Sequence, residues 1–305
     1  MAGEDEHRVP APKVAETQVG GAGFASWAPG RSTRASMVSL GIIVIVVYLR
    51  AFGAGYAGLD DDIHVYANPF LNPLSFDSLG QLWHRAYEGL YVPLAYTIFA
   101  GIALFARVPT QLMDSVGQAI SLRPEPFHAA SIAFHVANVL LAFFLAFRLT
   151  RDRRAAWIAA IVFAIHPLQV ESVCWISELR GVSSGFFALT ALNLLVFERQ
   201  GGGSTSLRSR ALAVGAVLGV VCAMLCKPAA VALPLVALAL DRGALGTSWR
   251  RSVATAVTWT VFVLPMAWVT RSVQDVRPAG VSLWWQRPFV AGDAFAFYVF
   301  KTILP

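Results

Sequence analysis

Charge is scarce in this sequence. Of 305 residues only 14% are Asp, Glu, Lys or Arg, where a soluble domain carries roughly 25%. That shortage, with 56% hydrophobic residues and a mean hydropathy of +0.59, excludes an ordinary soluble globular domain. Cysteine is scarce too. Cys174, Cys222 and Cys226 show neither zinc-site spacing nor a disulfide framework, so they read as small buried hydrophobes. Apolar–polar alternation at a two-residue period is also missing, which removes a membrane barrel. What is present is a series of apolar blocks near the ~20 residues that a helix needs to cross a bilayer. Backbone groups in lipid must be paired within the segment, so these blocks read as helices. The net charge of +6 does not point to nucleic acid, because the arginines sit in short clusters between apolar blocks, where they set topology.

The pattern therefore predicts an all-α polytopic integral membrane protein with about seven to eight transmembrane helices. Residues 1–36, rich in Ala, Gly, Pro and charge, read as a disordered cytoplasmic tail. Residues 37–305 read as the membrane domain. Its spans are expected near Ser36–Phe52, Phe127–Phe147, Ala155–Val173, Val182–Phe197, Leu212–Cys226, Ala229–Leu240 and Val253–Thr270, with a last one from about Phe289. Tyr91–Ala106 is apolar but short, and the positive-inside rule decides its placement. If it does not cross, the tail arginines, the Arg148–Arg154 cluster, the Arg199, Arg208, Arg210 group and Arg242, Arg250, Arg251 all share one side. It is accordingly read as an interfacial or re-entrant helix within a long outer loop, 57–126.

This arrangement puts three polar stretches on the opposite, outer face. The first is Asp60-Asp61-Asp62 with His64, where adjacent carboxylates repel one another. A solvated charge run is the plain alternative. The second is His166 to Gly181, which brings His166, Glu171, Glu178 and Arg180 to a helix exit broken by Pro167. Ionisable groups at membrane depth are functional by default, although an ordinary helix cap would explain them as well. The third is Lys227, set between two apolar runs, which either snorkels to the interface or presents a cation to a phosphate. On the second long span His128, Ser131, His135 and Asn138 share one face. Such a stripe faces the bundle interior, for helix-to-helix bonding or to line a cavity.

Taken together, these stretches resemble motifs of the GT-C superfamily of membrane glycosyltransferases, most closely bacterial relatives of the transmembrane and TPR repeat-containing O-mannosyltransferases. Asp60 to Pro69 resembles an outer-loop DDDxYVxxNP, and His166 to Glu178 resembles HPLHVESVAWVSE. Cys226-Lys227-Pro228 through Asp241 resembles SKPxxVTLPxxLLLLD, while Phe127-His128 through Asn138 resembles FHxxNLLLHLLN. Tyr91, Pro93 and Leu94 echo a YxPL element. The likeness runs from about Leu59 to Asp241 and more weakly to Pro305. It departs from the pattern at Gly181, where family members carry a carboxylate, and at Val92, where they often carry Arg. The resemblance further implies a piece of a longer protein or a reduced member, since the relatives continue into more spans and a repeat domain.

The resemblance implies a GT-C-like fold in a bacterial inner membrane, with the active face periplasmic. Its activity would be inverting transfer of a sugar, mannose in the nearest relatives, from a polyprenyl-phosphate carrier to a hydroxyl of a protein or glycan. Asp61 and Asp62 occupy the superfamily's essential acidic pair. Asp61 is the expected general base, and His64, His166, Glu171, Arg180, Lys227 and His128 the expected substrate-binding residues. The acidic cluster with His64 equally offers oxygen and imidazole ligands to a divalent cation. Rival readings are a non-catalytic or transport-related protein that binds a lipid phosphate, and an assembly scaffold.

Overall fold

A computed structural model of the chain describes residues 30–72, 74–113, 119–201, 206–273 and 283–304. The expected tail lies largely outside them. Within them, Arg31–Ser36, the last six residues of the expected tail, already belong to the first helix, α1 (Arg31–Tyr48). No apolar period marks that turn, yet Gly30 starts the helical hydrogen bonding by accepting from Thr33 and Arg34.

The described protein is almost wholly helical. After α1 come α2 (Phe76–His84), α3 (Pro93–Ala106), α4 (Glu125–Thr150), α5 (Arg153–Ile165), α6 (Leu168–Cys174), α7 (Leu179–Gln200), α8 (Leu207–Cys226), α9 (Leu233–Gly243), α10 (Trp249–Val273) and α11 (Arg287–Ile303). Five stretches are long and apolar enough to cross a membrane: Arg31–Gly53, Glu125–Thr150, Ile176–Gln200, Leu207–Cys226 and Trp249–Val273. A sixth arises if α5 and α6, bent by 64° at their junction, form one broken span. Two other expected spans are shorter. α9 has 11 residues and α11 has 17, which at 1.5 Å per residue gives about 16 and 25 Å against a hydrocarbon core of about 30 Å. α3, the expected interfacial helix, has 14 residues and buries Tyr96, Phe99, Ala100 and Ala103. It is followed by a feature the sequence did not suggest, a two-stranded antiparallel pair of β1 (Arg107–Met113) and β2 (Ala119–Leu122).

The bundle is built around α4 and α7. α4 packs on α1, α5 and α7, while α7 packs on α8, and α10 closes against α8 and α9. α7 and α8 approach closely because the helix backbone meets no side chain at Gly219. A Cβ there would stand 3.0 Å from that of Ala191 and 3.1 Å from the Phe187 carbonyl. Small residues at such crossings are how helices gain contact without a hydrophobic driving force between them. Only 17 to 50% of the apolar window of each long helix is buried within the protein. Val38, Ile42, Val46, Val214, Leu218, Val261 and Trp268 accordingly point outward. An apolar surface of that extent requires lipid around it. The protein is an integral membrane protein.

The two ends of the bundle carry different polar structure. At one end α4 stops at Thr150, and Asp152 caps α5 by accepting from the backbone of Arg154 and Ala155. There too Arg199 closes a network across α7, α8, α9 and α10. It forks onto Asp241, Nε to Oδ1 at 2.9 Å and Nη2 to Oδ2 at 2.8 Å, and also reaches Glu198 and Thr255. Arg251 and Ser209 complete the Glu198 carboxylate. At the other end, 54–72, the α5–α6 break, the start of α7 and the α8–α9 junction meet.

Candidate functional site

The acidic loop is shaped by its own side chains. Asp62–Tyr66 forms a single turn of π-helix. Asn68, fully buried, donates to the His64 carbonyl and accepts from Phe70 N, which bends the chain at Asn68-Pro69. Tyr56 stays protonated, its pKa pushed up by burial first and then by Asp61, and its hydroxyl donates to the Leu122 carbonyl. Asn68 and Tyr56 thus hold the acid cluster against β2 and α4.

The cluster is joined to the rest of the site by four consecutive residues, Ser177-Glu178-Leu179-Arg180, where a short 3₁₀ turn leads into α7. Ser177 donates twice to Asp61 Oδ1, from its backbone N at 2.8 Å and from Oγ at 2.6 Å. Ala57 N donates to Asp61 Oδ2 at 2.7 Å. Asp61 is fully buried. Arg180 donates from Nε to the Ser177 carbonyl at 2.8 Å and holds Nη2 3.9 Å from Asp60 Oδ2. Glu178 accepts from Lys227 Nζ at 2.5 Å. Three stretches distant in sequence therefore meet, as their common face predicts.

Within this geometry the three carboxylates differ. Asp60 is half exposed and faces Arg180. Asp61 accepts three hydrogen bonds and anchors the loop. Asp62 keeps a buried Oδ1 with no partner. A buried acceptor left open costs about 1–3 kcal/mol unless something fills it, so Asp62 is the member poised to receive a donor. The buried indole N–H of Trp175, two residues before Ser177 in the chain, also has no partner. Asp61, the expected base, is thus the most fully engaged of the three.

His64 is buried, its Nδ1 2.8 Å from the Tyr96 hydroxyl. Burial, helped by Arg180 and opposed by Asp60 and Asp62, lowers its pKa to about 4, so it is neutral at pH 7. Among the described residues no three His, Cys, Asp or Glu side chains are grouped to hold a metal. Asp60, Asp61 and His64 have each turned to a different protein partner.

The other expected binding residues fall in different places. Lys227 sits at the mouth of an open groove of about 390 Å³, walled by Phe163, Val182, Ala230, Leu233 and Val236 with Gln169, Ser172 and Asn138 as polar lining. Its ammonium is already paired with Glu178, whereas Arg180 faces Asp60, so the two cations expected to bind substrate each meet their own carboxylate. Gly181 makes the Lys227 pair fit, since a Cβ there would lie 2.7 Å from Glu178 Oε2 and 3.3 Å from Lys227 Nζ. His166 acts as a cap. Its Nδ1 accepts from Leu168 N, which makes Nε2–H the donor to the Thr302 carbonyl. Glu171 is exposed. His128 is buried and near enough to Asp61 to feel its charge. Ser177, which organises the site, carries no signal in the sequence apart from its distant partner Asp61, and Glu178 shows there only as one of the polar groups at the helix exit.

No known family's sequence pattern matches the chain, no curated protein matches it, and no solved structure matches its fold.

Proposed function

We propose that the protein is a GT-C-like glycosyltransferase that moves a sugar from a polyprenyl-phosphate carrier to an acceptor hydroxyl, with inversion. The convergence of the acid cluster and the Lys227 groove on Ser177-Glu178-Leu179-Arg180 carries this reading. Apolar groove walls beside an ammonium suit an amphipathic donor, its prenyl chain along Leu233 and Val236 and its phosphate at the polar end. Asp62, with its open acceptor atom, takes the proton from the acceptor hydroxyl, work that typically contributes 10²–10⁴-fold. Asp61 holds the loop that presents it. Neutral His64 and the indole N–H of Trp175 are placed to orient hydroxyl groups of sugar or acceptor.

The reading places the acid end periplasmic in a bacterial inner membrane, with the N-terminus and the arginine-rich end cytoplasmic. A transfer assay with polyprenyl-phosphate mannose and peptide or glycan acceptors tests the activity. An Asp62→Asn protein that transfers at the parent rate would exclude Asp62 as the base. Cysteine placed at Arg151, labelled by an impermeant thiol reagent in intact cells, would reverse the orientation. A second reading, a lipid-phosphate-binding protein without transfer, is favoured by one observation: Lys227 is already neutralised by Glu178. Donor binding without transfer in the same assay selects it.

A further inference from the structure

A second groove, of about 320 Å³, runs between α2 and α3 and shares no residue with the one beside Lys227. Its walls are Leu74, Phe76, Leu79, Ala100, Gly101 and Leu104. Among the described residues that line it, only Ser75 and Thr97 carry polar side-chain atoms, and both are engaged within the protein. Ser75 Oγ meets Ser78 Oγ at 2.7 Å and accepts from Ser78 N at 3.0 Å. Thr97 Oγ1 donates to the Pro93 carbonyl at 2.8 Å and accepts from the Trp83 indole at 2.9 Å. A polar occupant would give up its bonds to water there without replacement, so the groove suits hydrocarbon.

The helix beside the groove is divided for a bilayer surface. Leu82 is buried against the protein, while Gln81 bonds to Asp77 and Arg85 to Gln81 along a polar face. Phe76 and Trp83, seven residues apart and so on one face, are exposed, Phe76 to 97%. Leu104 and Phe105 continue this exposed apolar edge on α3. A helix with such faces lies in the interface with its apolar edge among acyl chains, and an indole at that edge suits the position. A cation marks one end of the groove. Arg107, one turn past Leu104, is exposed and reaches the Leu74 carbonyl with Nη2 at 3.5 Å. It has no carboxylate partner among the described residues. It pairs in the sheet with Leu122, just before α4 begins, and so stands at the end of the bundle, where lipid head groups lie. We propose that the α2–α3 groove binds a phospholipid of the surrounding bilayer, its phosphate on Arg107 and one acyl chain between the two helices. A guanidinium is well matched to a phosphate. This lipid is not the reacting carrier of the proposed function. Arg107 follows Tyr96, the partner of His64, by eleven residues, which is about 16 Å of helix. Its other end reaches Thr97, next to Tyr96, so a bound chain braces α2 against the turn of α3 that holds His64.

Photocrosslinking of the full chain in lipid nanodiscs tests the site without any assay of transfer. The probe is phosphatidylglycerol with a diazirine in one acyl chain, and the control is diacylglycerol with the same chain at the same mole fraction. Mass spectrometry should find phosphatidylglycerol on residues 74–79 and 97–104 several-fold above the level on Val38, Ile42 and Val46, which face lipid from α1. Diacylglycerol should show no such enrichment. Gly101→Leu fills the groove, because a Cβ at Gly101 meets nothing within 4 Å, and should bring labelling down to the α1 level. Arg107→Gln changes an exposed residue beyond the end of α3, so it stays informative should the leucine disturb folding, and it should abolish the preference over diacylglycerol. Labelling of the groove no greater than that of α1, equal labelling by both probes, or labelling unchanged in the folded variants overturns the proposal. Displacement of the probe by an equimolar polyprenyl phosphate also overturns it, since the groove would then belong to the carrier.

Discussion

The two ends of the bundle use charge in opposite ways. At the arginine-rich end both carboxylates, Glu198 and Asp241, are buried and every one of their oxygens is met, by Arg199, Arg251, Ser209 and Thr247. At the acid end Asp62 and Trp175 keep buried polar atoms unmet, and Lys227 lies half exposed at a groove. A fully satisfied network fastens helices and has no capacity left for a ligand. A partly satisfied one costs stability, which is the mark of a place kept ready for something else. The contrast separates a fastened end from an open one, although both are built from the same residue types, and on the proposed function the open end is where chemistry occurs.

Breaking the fastened end should have the largest effect on stability. Arg199→Leu leaves Asp241, 0% exposed, without its forked partner. A loss of about 3–5 kcal/mol is expected, as for other buried pairs broken on one side. Thermal unfolding in detergent measures it, and the variant that remains folded should keep its activity.

Asp62→Asn should show the reverse, with unchanged unfolding and a transfer rate lower by about a hundredfold. Asp61→Asn should be mixed, because its amide would face the Ala57 N–H with a second donor. Stability should fall by about 1–3 kcal/mol, with faster proteolysis within residues 57–72. Equal behaviour of the two variants would erase the distinction between anchor and base.

A smaller effect separates the two uses of Lys227. Its ion pair is partly solvated, so removing it should cost under about 1 kcal/mol. Lys227→Gln should weaken donor binding, whereas Glu178→Gln frees the ammonium and should strengthen it. Gly181→Ala should act in the same direction as Glu178→Gln by pushing the carboxylate aside. Isothermal titration with a polyprenyl phosphate reads all three, and a common sign for Lys227→Gln and Glu178→Gln would refute the competition.

Near neutral pH the smallest expected effect is that of His64, which grows only as the solution is acidified. His64 has a pKa lowered from 6.5 to about 4 in the folded protein, so below 6.5 the unfolded chain binds the proton more readily. Its contribution to stability is complete above pH 6.5, declines as pH falls and is lost by about pH 4. His64→Gln should flatten that part of the profile of unfolding temperature against pH.

The residues legible beforehand were those whose meaning lies in their own neighbourhood. Asp60-Asp61-Asp62, the His166-Pro167 break and Lys227 stood out against apolar surroundings, and the α4 stripe showed its buried face through helical spacing alone. Ser177 could not be read this way, for its bond to Asp61 spans 116 residues. His166 and Glu171 were singled out for residue type, yet His166 serves as a cap and Glu171 faces outward.

Scarce charge and long apolar blocks by themselves determined that the protein is helical and lies in a membrane, because lipid leaves the backbone no other way to pair. The arginine clusters, by arguing that Tyr91–Ala106 does not cross, added the expectation that three polar stretches share a face. Only the tertiary structure decided which carboxylate is an anchor, which cation is already paired and which buried atoms remain open. Those properties belong to partners far apart in the chain, and a hydrogen bond exists only where folding has brought both of its ends within about 3 Å.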